Sequence, residues 1–121
     1  MSRGQGRRSE RVADIIKEEI ASMMLRGEIK DPRIGFITIT YVRMTPDLKE
    51  AKVYFSQMGT KEEKEESLEG LKHATGFVRR HLAQVINLRR VPQIHFHYDD
   101  SLDYSERIET VIKEIKKGGG L

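Results

Sequence analysis

The chain has 121 residues, of which 37% are hydrophobic and 34% charged, with a formal net charge of +3. This length is typical of one domain with one core, and the absence of cysteine excludes a disulfide framework, a thiolate nucleophile and a cysteine-ligated zinc site. No segment approaches the roughly 20 apolar residues of a membrane span and the N-terminus lacks the apolar core of a signal peptide, so we expect a cytoplasmic protein without a membrane contact.

The first half of the chain predicts a helix followed by a β-hairpin. Ser9 is a suitable helix cap and Gly27 a suitable end, and between them apolar residues recur at spacings of three and four: Val12, Ile15, Ile16, Ile20, Met23 and Met24. The segment from Phe36 to Met44 is rich in β-branched and aromatic residues, which is typical of a strand. After the turn residues Thr45-Pro46-Asp47, a second strand is predicted because Ala51, Val53 and Phe55 alternate with Lys52, Tyr54 and Ser56.

The second half predicts two helices that meet at a kink. Thr60 and Glu63 have the spacing of a capping box, and the helix behind them directs Leu68, Leu71 and Thr75 toward the core. The same apolar face continues beyond Gly76, with Val78, Leu82, Val85 and Ile86. A glycine in a straight helix costs about 1 kcal/mol relative to alanine, so Gly76 indicates a bend or a close approach of backbones.

Pro92 is expected to stop the second arm of this helix pair. A third strand follows from Gln93 to Tyr98, where Ile94 and Phe96 alternate with histidines. Ser101 or Asp103 then starts a last helix, which buries Ile108, Val111, Ile112 and Ile115.

The order of elements predicts an α+β fold: helix, strand, strand, helix, kink, helix, strand, helix. The second and third strands flank the kinked pair, as in a KH-type RNA-binding module of the type II variant. The Gly-x-x-Gly signature of that module is absent, and Ala74-Thr75-Gly76 stands in its place as an Ala-x-Gly kink. We assign residues 9–117 to one KH-like domain, residues 1–8 to a flexible basic arm and residues 118–121 to a flexible glycine-rich tail.

Positive charge is concentrated between residues 70 and 98, a stretch that contains no acidic residue. It holds all four histidines and five basic residues: Lys72, Arg79, Arg80, Arg89 and Arg90. Such a surface favours phosphate groups, so nucleic acid is the predicted partner. The alternatives are a solvated helix face for Arg79 and Arg80, an offset of the helix dipole for Arg89 and Arg90, and a solubilising role for Lys72.

Two other segments carry informative charge. The N-terminal arm adds Arg7, Arg8 and Arg11 as RNA-binding candidates, with an inert basic tail as the alternative. The segment from Lys61 to Glu69 holds five glutamates and two lysines, which predicts a solvated helix face that repels RNA. Among single residues we expect Gly76 to be the most sensitive to substitution, because bulk there would straighten or jam the kink.

Catalysis finds little support in the sequence. His95 and His97 lie two residues apart, on one face of a strand, but the sequence supplies no recognisable further metal ligands. A metal-dependent nuclease built on Asp99, Asp100 and Asp103 likewise lacks a carboxylate partner elsewhere in the sequence. No Walker motif, Gly-x-Gly-x-x-Gly or Gly-x-Ser-x-Gly occurs. We therefore predict no enzymatic activity, no metal and no cofactor.

Two other binding functions stay open. One is a generic single-stranded nucleic-acid binder, although Phe36, Phe55 and Phe96 are better placed in the core than on a stacking surface. The other is a protein-interaction module that docks through Met23 and Met24. The salt dependence of binding distinguishes these two functions, because phosphate contacts weaken steeply as the salt concentration rises and apolar contacts do not.

Several short motifs follow one another in the order and spacing of a known family. They are Arg11-Val12-Ala13 with Glu19-Ile20, Asp31-Pro32-Arg33, Asp47-Leu48 with Ala51-Lys52-Val53-Tyr54, the Ala-x-Gly kink, Leu88-Arg89-Arg90, and Tyr98-Asp99-Asp100-Ser101. In these motifs the chain resembles ribosome-binding factor A, a family of bacterial assembly factors of the small ribosomal subunit. One departure is Ser105, which stands where the family usually has a glycine after its Asp-x-Ser motif.

The resemblance implies a non-catalytic, monomeric protein that binds free, immature 30S particles in preference to 70S ribosomes. It also implies contact with 16S rRNA near the 5′ end and the neck, support of late maturation and 5′-end processing of that RNA, and a link to growth in the cold. Small-subunit ribosomal proteins and other assembly factors are further implied partners. Such a protein shifts rRNA folding only if it prefers one conformer over another.

Overall fold

The computed structural model describes residues 3–101, with side chains from residue 8 onward. It has helices α1 (Arg3–Leu25), α2 (Lys61–His73) and α3 (Thr75–Val85), and strands β1 (Ile37–Met44), β2 (Glu50–Gln57) and β3 (Gln93–Tyr98). The strands form one sheet in the order β1-β2-β3, with β1 antiparallel and β3 parallel to β2. The α+β class and the hairpin are therefore confirmed, whereas the predicted last helix and glycine-rich tail lie outside the described residues.

Side chains form rows of three across the sheet, and successive rows face opposite ways. Val42, Val53 and Phe96 are cross-strand partners and buried, and the next row, Arg43, Lys52 and His95, is exposed. β1 keeps this phase because a bulge at Thr40, between Ile39 and Tyr41, shifts its register against β2. The bulge allows both Ile39 and Val42 to be buried, which strict alternation along β1 would forbid.

The three helices cover the buried face of the sheet and leave its other face, here called the open face, uncovered within the described residues. The side chains at the centre of the core are fully or almost fully buried: Ile16, Ile20, Met23, Val53, Phe55, Leu71, Val78 and Leu82. Burial of each such side chain stabilises the fold by about 1.5–3 kcal/mol. None of the helices described is long and apolar enough to cross a membrane.

Three residues predicted to lie in the core are exposed. Phe36 is 92% exposed because it precedes β1 and no element among the described residues covers it. Ile15 is 43% exposed because it lies one step around α1 from the buried Ile16, and Val85 is 49% exposed at the last position of α3. The apolar spacing therefore predicted the correct buried face of α1 and of α3, but each predicted face included one residue that is exposed.

α1 begins well before the predicted cap at Ser9 and ends where Gly27 indicated. Ser9 is buried one turn before Val12 and Ala13 on the same face, so it packs within the helix instead of capping it. Gly27 has a φ of 67°, and its N–H donates to the Met24 carbonyl over 3.1 Å while the Glu28 N–H donates to the Met23 carbonyl over 3.0 Å. This is a Schellman motif, which satisfies carbonyls that the helix end leaves free.

The capping box at the start of α2 is confirmed. The Glu63 N–H donates to Thr60 Oγ1 over 3.1 Å, and the Thr60 N–H donates to Glu63 Oε1 over 2.9 Å. A single residue, Ala74, separates the end of α2 from the start of α3.

The end of α3 differs from the prediction. Ile86 is extended, so the helix ends at Val85 and not at Pro92. Consecutive β-branched residues followed by Asn87 favour helix weakly, and the extended Ile86 stays buried. Arg89 and Arg90 lie in the loop that follows, so the helix-dipole alternative for them is wrong.

The loop between α1 and β1 packs on α2 at Gly70, a glycine for which no role was predicted from the sequence. Asp31 accepts from the backbone N–H and the guanidinium of Arg33 at 2.7–3.0 Å, and these bonds lower the pKa of Asp31 to about 2. A Cβ on Gly70 would lie 2.6 Å from Ile34 Cγ1, too close to be accommodated without movement. A Cβ on Gly76 would meet only Arg80 Nη1, at 3.5 Å, so of the two alternatives predicted for Gly76, a bend or a close approach of backbones, the close approach is wrong.

Candidate nucleic-acid interface

A cleft of about 750 Å³ opens where the start of α1, the hairpin turn, α3 and the loop after α3 meet. Its lining contains five cationic side chains and one carboxylate: Arg8, Lys49, Arg79, Arg89, Arg90 and Asp47. We call it the basic cleft. Clustered charge of one sign in a concave surface raises the local concentration of the opposite charge, so this cleft attracts anionic groups such as phosphates.

Arg79 holds the wall of the basic cleft that carries Arg89 and Arg90. Its Nε donates to the Pro92 carbonyl and its Nη2 donates to the Val91 carbonyl, both over 3.1 Å. The loop after α3 belongs to no helix or strand, so its carbonyls need partners of this kind. Arg79 therefore has a structural role, which was not predicted from the sequence.

The hairpin turn also lines the basic cleft. Asp47 Oδ1 accepts from the Thr45 hydroxyl over 2.7 Å and from the Lys49 N–H over 3.0 Å, and these bonds hold the pKa of Asp47 below its usual range. The Gln93 N–H donates to the Lys49 carbonyl over 2.8 Å, which joins the turn to the start of β3. The one carboxylate of the cleft is therefore engaged in shaping the turn that presents Lys49.

Four of the eight predicted RNA-binding residues meet in the basic cleft: Arg8, Arg79, Arg89 and Arg90. Arg11, Lys72 and Arg80 are exposed but do not line it, and the side chain of Arg7 lies outside the described residues. Lys49 also lines the cleft and was not predicted. The parallel pairing of β2 with β3, which sets Glu50 opposite Gln93, brings Lys49 to the cleft, and no short-range pattern indicates that pairing.

The remaining charged groups lie on other surfaces. The five glutamates of α2 are exposed, as predicted for a solvated face. His81 Nε2 lies 3.2 Å from Glu19 Oε1 and so links α3 to α1, while His95 Nε2 lies 3.1 Å from Glu50 Oε1 on the open face. The described residues contain no group of three side chains arranged to hold a metal.

Known proteins match this chain over most of its length. The family model of ribosome-binding factor A matches residues 8–112. The chain belongs to the ribosome-binding factor A family. A ribosome-binding factor A from Citrifermentans bemidjiense is 47% identical to it over 109 residues, which are 90% of this chain and 91% of the relative.

Solved structures of ribosome-binding factor A share the fold. The crystal structure of the Thermus thermophilus protein matches with a TM-score of 0.65 at 23% identity, covering 74% of this chain and 93% of that one. A homology model of the Thermus thermophilus protein, fitted into a cryo-EM map of its complex with 30S, matches with a TM-score of 0.61 at 24% identity. That match covers 73% of this chain and 91% of the other.

Proposed function

We propose that this chain is a non-enzymatic ribosome assembly factor that binds the free, immature 30S subunit and its 16S rRNA, and that it supports late maturation and 5′-end processing of that RNA. The observation that carries the proposal is the basic cleft in a member of the ribosome-binding factor A family. The Thermus thermophilus relative fitted into a 30S complex supports the 30S subunit as the particle. We further propose that the protein acts as a monomer in the cytoplasm, contacts the 5′ end and neck of the rRNA, and supports growth in the cold.

We assign the fold to a KH-like module whose core is β2, α2, α3 and β3. The assignment is supported by the parallel pairing of β2 with β3 and by the single residue between α2 and α3. An ordinary KH module clamps the nucleic-acid backbone with Gly-x-x-Gly at that junction, where this chain has Ala74-Thr75-Gly76. Without that clamp, the basic cleft supplies the phosphate contacts.

The distribution of charge orients the protein on RNA. The cations of the basic cleft attract the phosphate backbone, while the exposed glutamates of α2 repel it. A cleft lined by guanidinium groups suits the phosphate groups of folded RNA, because each guanidinium can donate two parallel hydrogen bonds to one phosphate. Recognition of this kind reads the shape of a particle and favours the rRNA conformer that places phosphates at the cleft.

The test is sedimentation of the tagged chain from a bacterial lysate through a sucrose gradient at moderate salt. We expect it to migrate with 30S particles and not with 70S ribosomes or polysomes, and a strain without the gene to accumulate 16S precursors with unprocessed 5′ ends. A chain that stays at the top of the gradient yet binds free RNA would refute the ribosomal function and favour a generic RNA binder.

Matched variants locate the interface on the particle. Arg89→Glu with Arg90→Glu reverses two charges inside the basic cleft, and Lys30→Glu with Lys61→Glu makes the same change in net charge at exposed positions outside it. We expect only the first pair to abolish comigration with 30S particles. Equal losses in both pairs would mean that net charge, and not the cleft, governs binding.

A further inference from the structure

Three rings form a row on the open face of the sheet, away from the basic cleft. Tyr41, Tyr54 and His97 are direct cross-strand partners on β1, β2 and β3. The ring centroids of Tyr41 and Tyr54 are 5.9 Å apart, and those of Tyr54 and His97 are 5.5 Å apart. Tyr41 is 55% exposed and His97 is exposed, so this ring row is accessible from solvent.

The bulge at Thr40 is what completes the ring row. Without the bulge, Thr40 would pair with Tyr54, and Tyr41 would turn toward the core. With it, Tyr41 takes the open face beside Tyr54, while its neighbour Val42 is buried. The bulge that buries Val42 on one face thus places a large aromatic side chain in solvent on the other face, where it adds no buried area and is available to a ligand.

A row of basic side chains runs beside the ring row. Arg43, Lys52 and His95 are cross-strand partners on the same face, and they line a shallow groove of about 430 Å³ together with Glu50. Side chains two residues apart on one face of a strand are separated by about 7 Å, which is the scale on which a nucleotide separates its base from its phosphate. On the other side of the ring row, beyond the end of β3, Asp99 accepts from the Thr40 hydroxyl over 2.7 Å.

The electrostatics of His97 suit a stacking ring. Burial lowers the pKa of His97, and the nearby charges of Lys52, His95 and Lys72 lower it further. The imidazole is therefore neutral near pH 7 and presents an aromatic surface, not a charge.

We infer that the open face binds an unpaired segment of RNA, whose bases stack on Tyr41, Tyr54 and His97 and whose phosphates lie at Arg43 and Lys52. Every base has a π-face, so such stacking accepts many sequences. The inference rests on the proposed function only in taking RNA as the partner. It gives the chain two RNA surfaces, the basic cleft for the phosphates of folded RNA and the open face for unpaired bases.

The test compares two double variants on two oligonucleotides. Tyr41→Thr with Tyr54→Thr removes the rings but keeps residues that favour strands, and Tyr41→Phe with Tyr54→Phe keeps the rings. The ligands are a short RNA without self-complementarity and an abasic RNA of the same length, both followed by fluorescence anisotropy. The chain has no tryptophan and four tyrosines, so quenching of tyrosine emission reports stacking directly.

We expect the threonine pair to bind the base-bearing RNA about tenfold or more weakly than the parent, since stacking contributes about 1–3 kcal/mol per base. The phenylalanine pair should bind like the parent, and all three proteins should bind the abasic RNA equally weakly. Equal affinity of the parent for both oligonucleotides, or an undiminished affinity of the threonine pair, would overturn the inference. If the threonine pair unfolds, Tyr41→Thr alone, on the edge strand, gives the same comparison with the same two outcomes.

Sedimentation with 30S particles separates this inference from the proposed function. A parent chain that binds the particle but shows no preference for RNA with bases would refute the stacking surface alone. A parent chain that prefers RNA with bases but does not bind the particle would refute the ribosomal function and leave the stacking surface standing.

Discussion

Gly70→Ala tests how closely α2 approaches the loop between α1 and β1, and Gly76→Ala is its matched control. The Cβ added at Gly70 would lie 2.6 Å from Ile34 Cγ1 and 3.3 Å from Arg33 Cβ. The Cβ added at Gly76 would lie 3.5 Å from Arg80 Nη1, an ordinary contact. Both glycines are helical, so alanine gains up to about 1 kcal/mol of helix propensity at each position.

The two variants should therefore change stability in opposite directions. At Gly70 the gain is outweighed, because displacing a packed side chain or loop costs about 1–3 kcal/mol. We expect Gly70→Ala to lower the free energy of unfolding by about 1–2 kcal/mol and Gly76→Ala to raise it by up to about 1 kcal/mol. A change of 1 kcal/mol shifts the Tm of a domain of this size by about 3–6 °C.

Urea and thermal unfolding followed by far-UV circular dichroism measure both values. A double-mutant cycle adds the decisive control, since Ile34→Ala removes the atom that the new methyl group meets. Ile34→Ala should cost less in the Gly70→Ala background than in the parent. If Gly70→Ala is as stable as Gly76→Ala, the close approach at Gly70 does not exist.

Three further predictions concern charged groups. Arg89→Glu with Arg90→Glu should reduce the slope of log affinity against log salt by about two, since each lost phosphate contact removes about one unit; RNA titrations at several salt concentrations measure it, and an unchanged slope would place the phosphates elsewhere. Arg79→Met should lower stability by about 1–3 kcal/mol, because two loop carbonyls lose charged donors; an unfolding midpoint equal to that of the parent would contradict its structural role. The pKa of Asp31 falls from 3.8 to about 2, so its bonds to Arg33 stabilise the fold above pH 3.8 and are lost as the pH falls toward 2. Acid unfolding of Asp31→Asn should lack that part of the pH dependence, and curves that parallel those of the parent would refute the assignment.

Local sequence signals predicted most of the elements. The hairpin, the capping box at Thr60 and Glu63, and the bounds of β3 follow from patterns within a few residues, and the structure confirms them. Gly27 ends α1 because its left-handed backbone conformation completes a Schellman motif, and a glycine at this position predicted the end of the helix. These features depend on interactions between residues a few positions apart, so the local sequence is enough to predict them.

The features that were missed depend on contacts between distant segments. The bulge at Thr40 aligns the buried residues of β1 with those of β2 on one face of the sheet. The role of Gly70 depends on a loop that lies far from it in sequence. Arg79 was predicted as an RNA contact, and its bonds to the carbonyls of Val91 and Pro92 exist only because α3 ends early. The ring row was not predicted for the same reason, because the local sequence pattern predicts neither the bulge at Thr40 nor the parallel pairing of β3 with β2.

The basic cleft is assembled from four separate stretches of the sequence, and this has a thermodynamic consequence. An unfolded chain carries the same arginines but no cleft, so RNA that fits the cleft binds the native state preferentially. Such a ligand stabilises the fold by mass action, by about 2.7 kcal/mol when its free concentration is one hundred times its Kd. Occupancy of the particle thus protects the protein from unfolding, and released protein loses that protection at once.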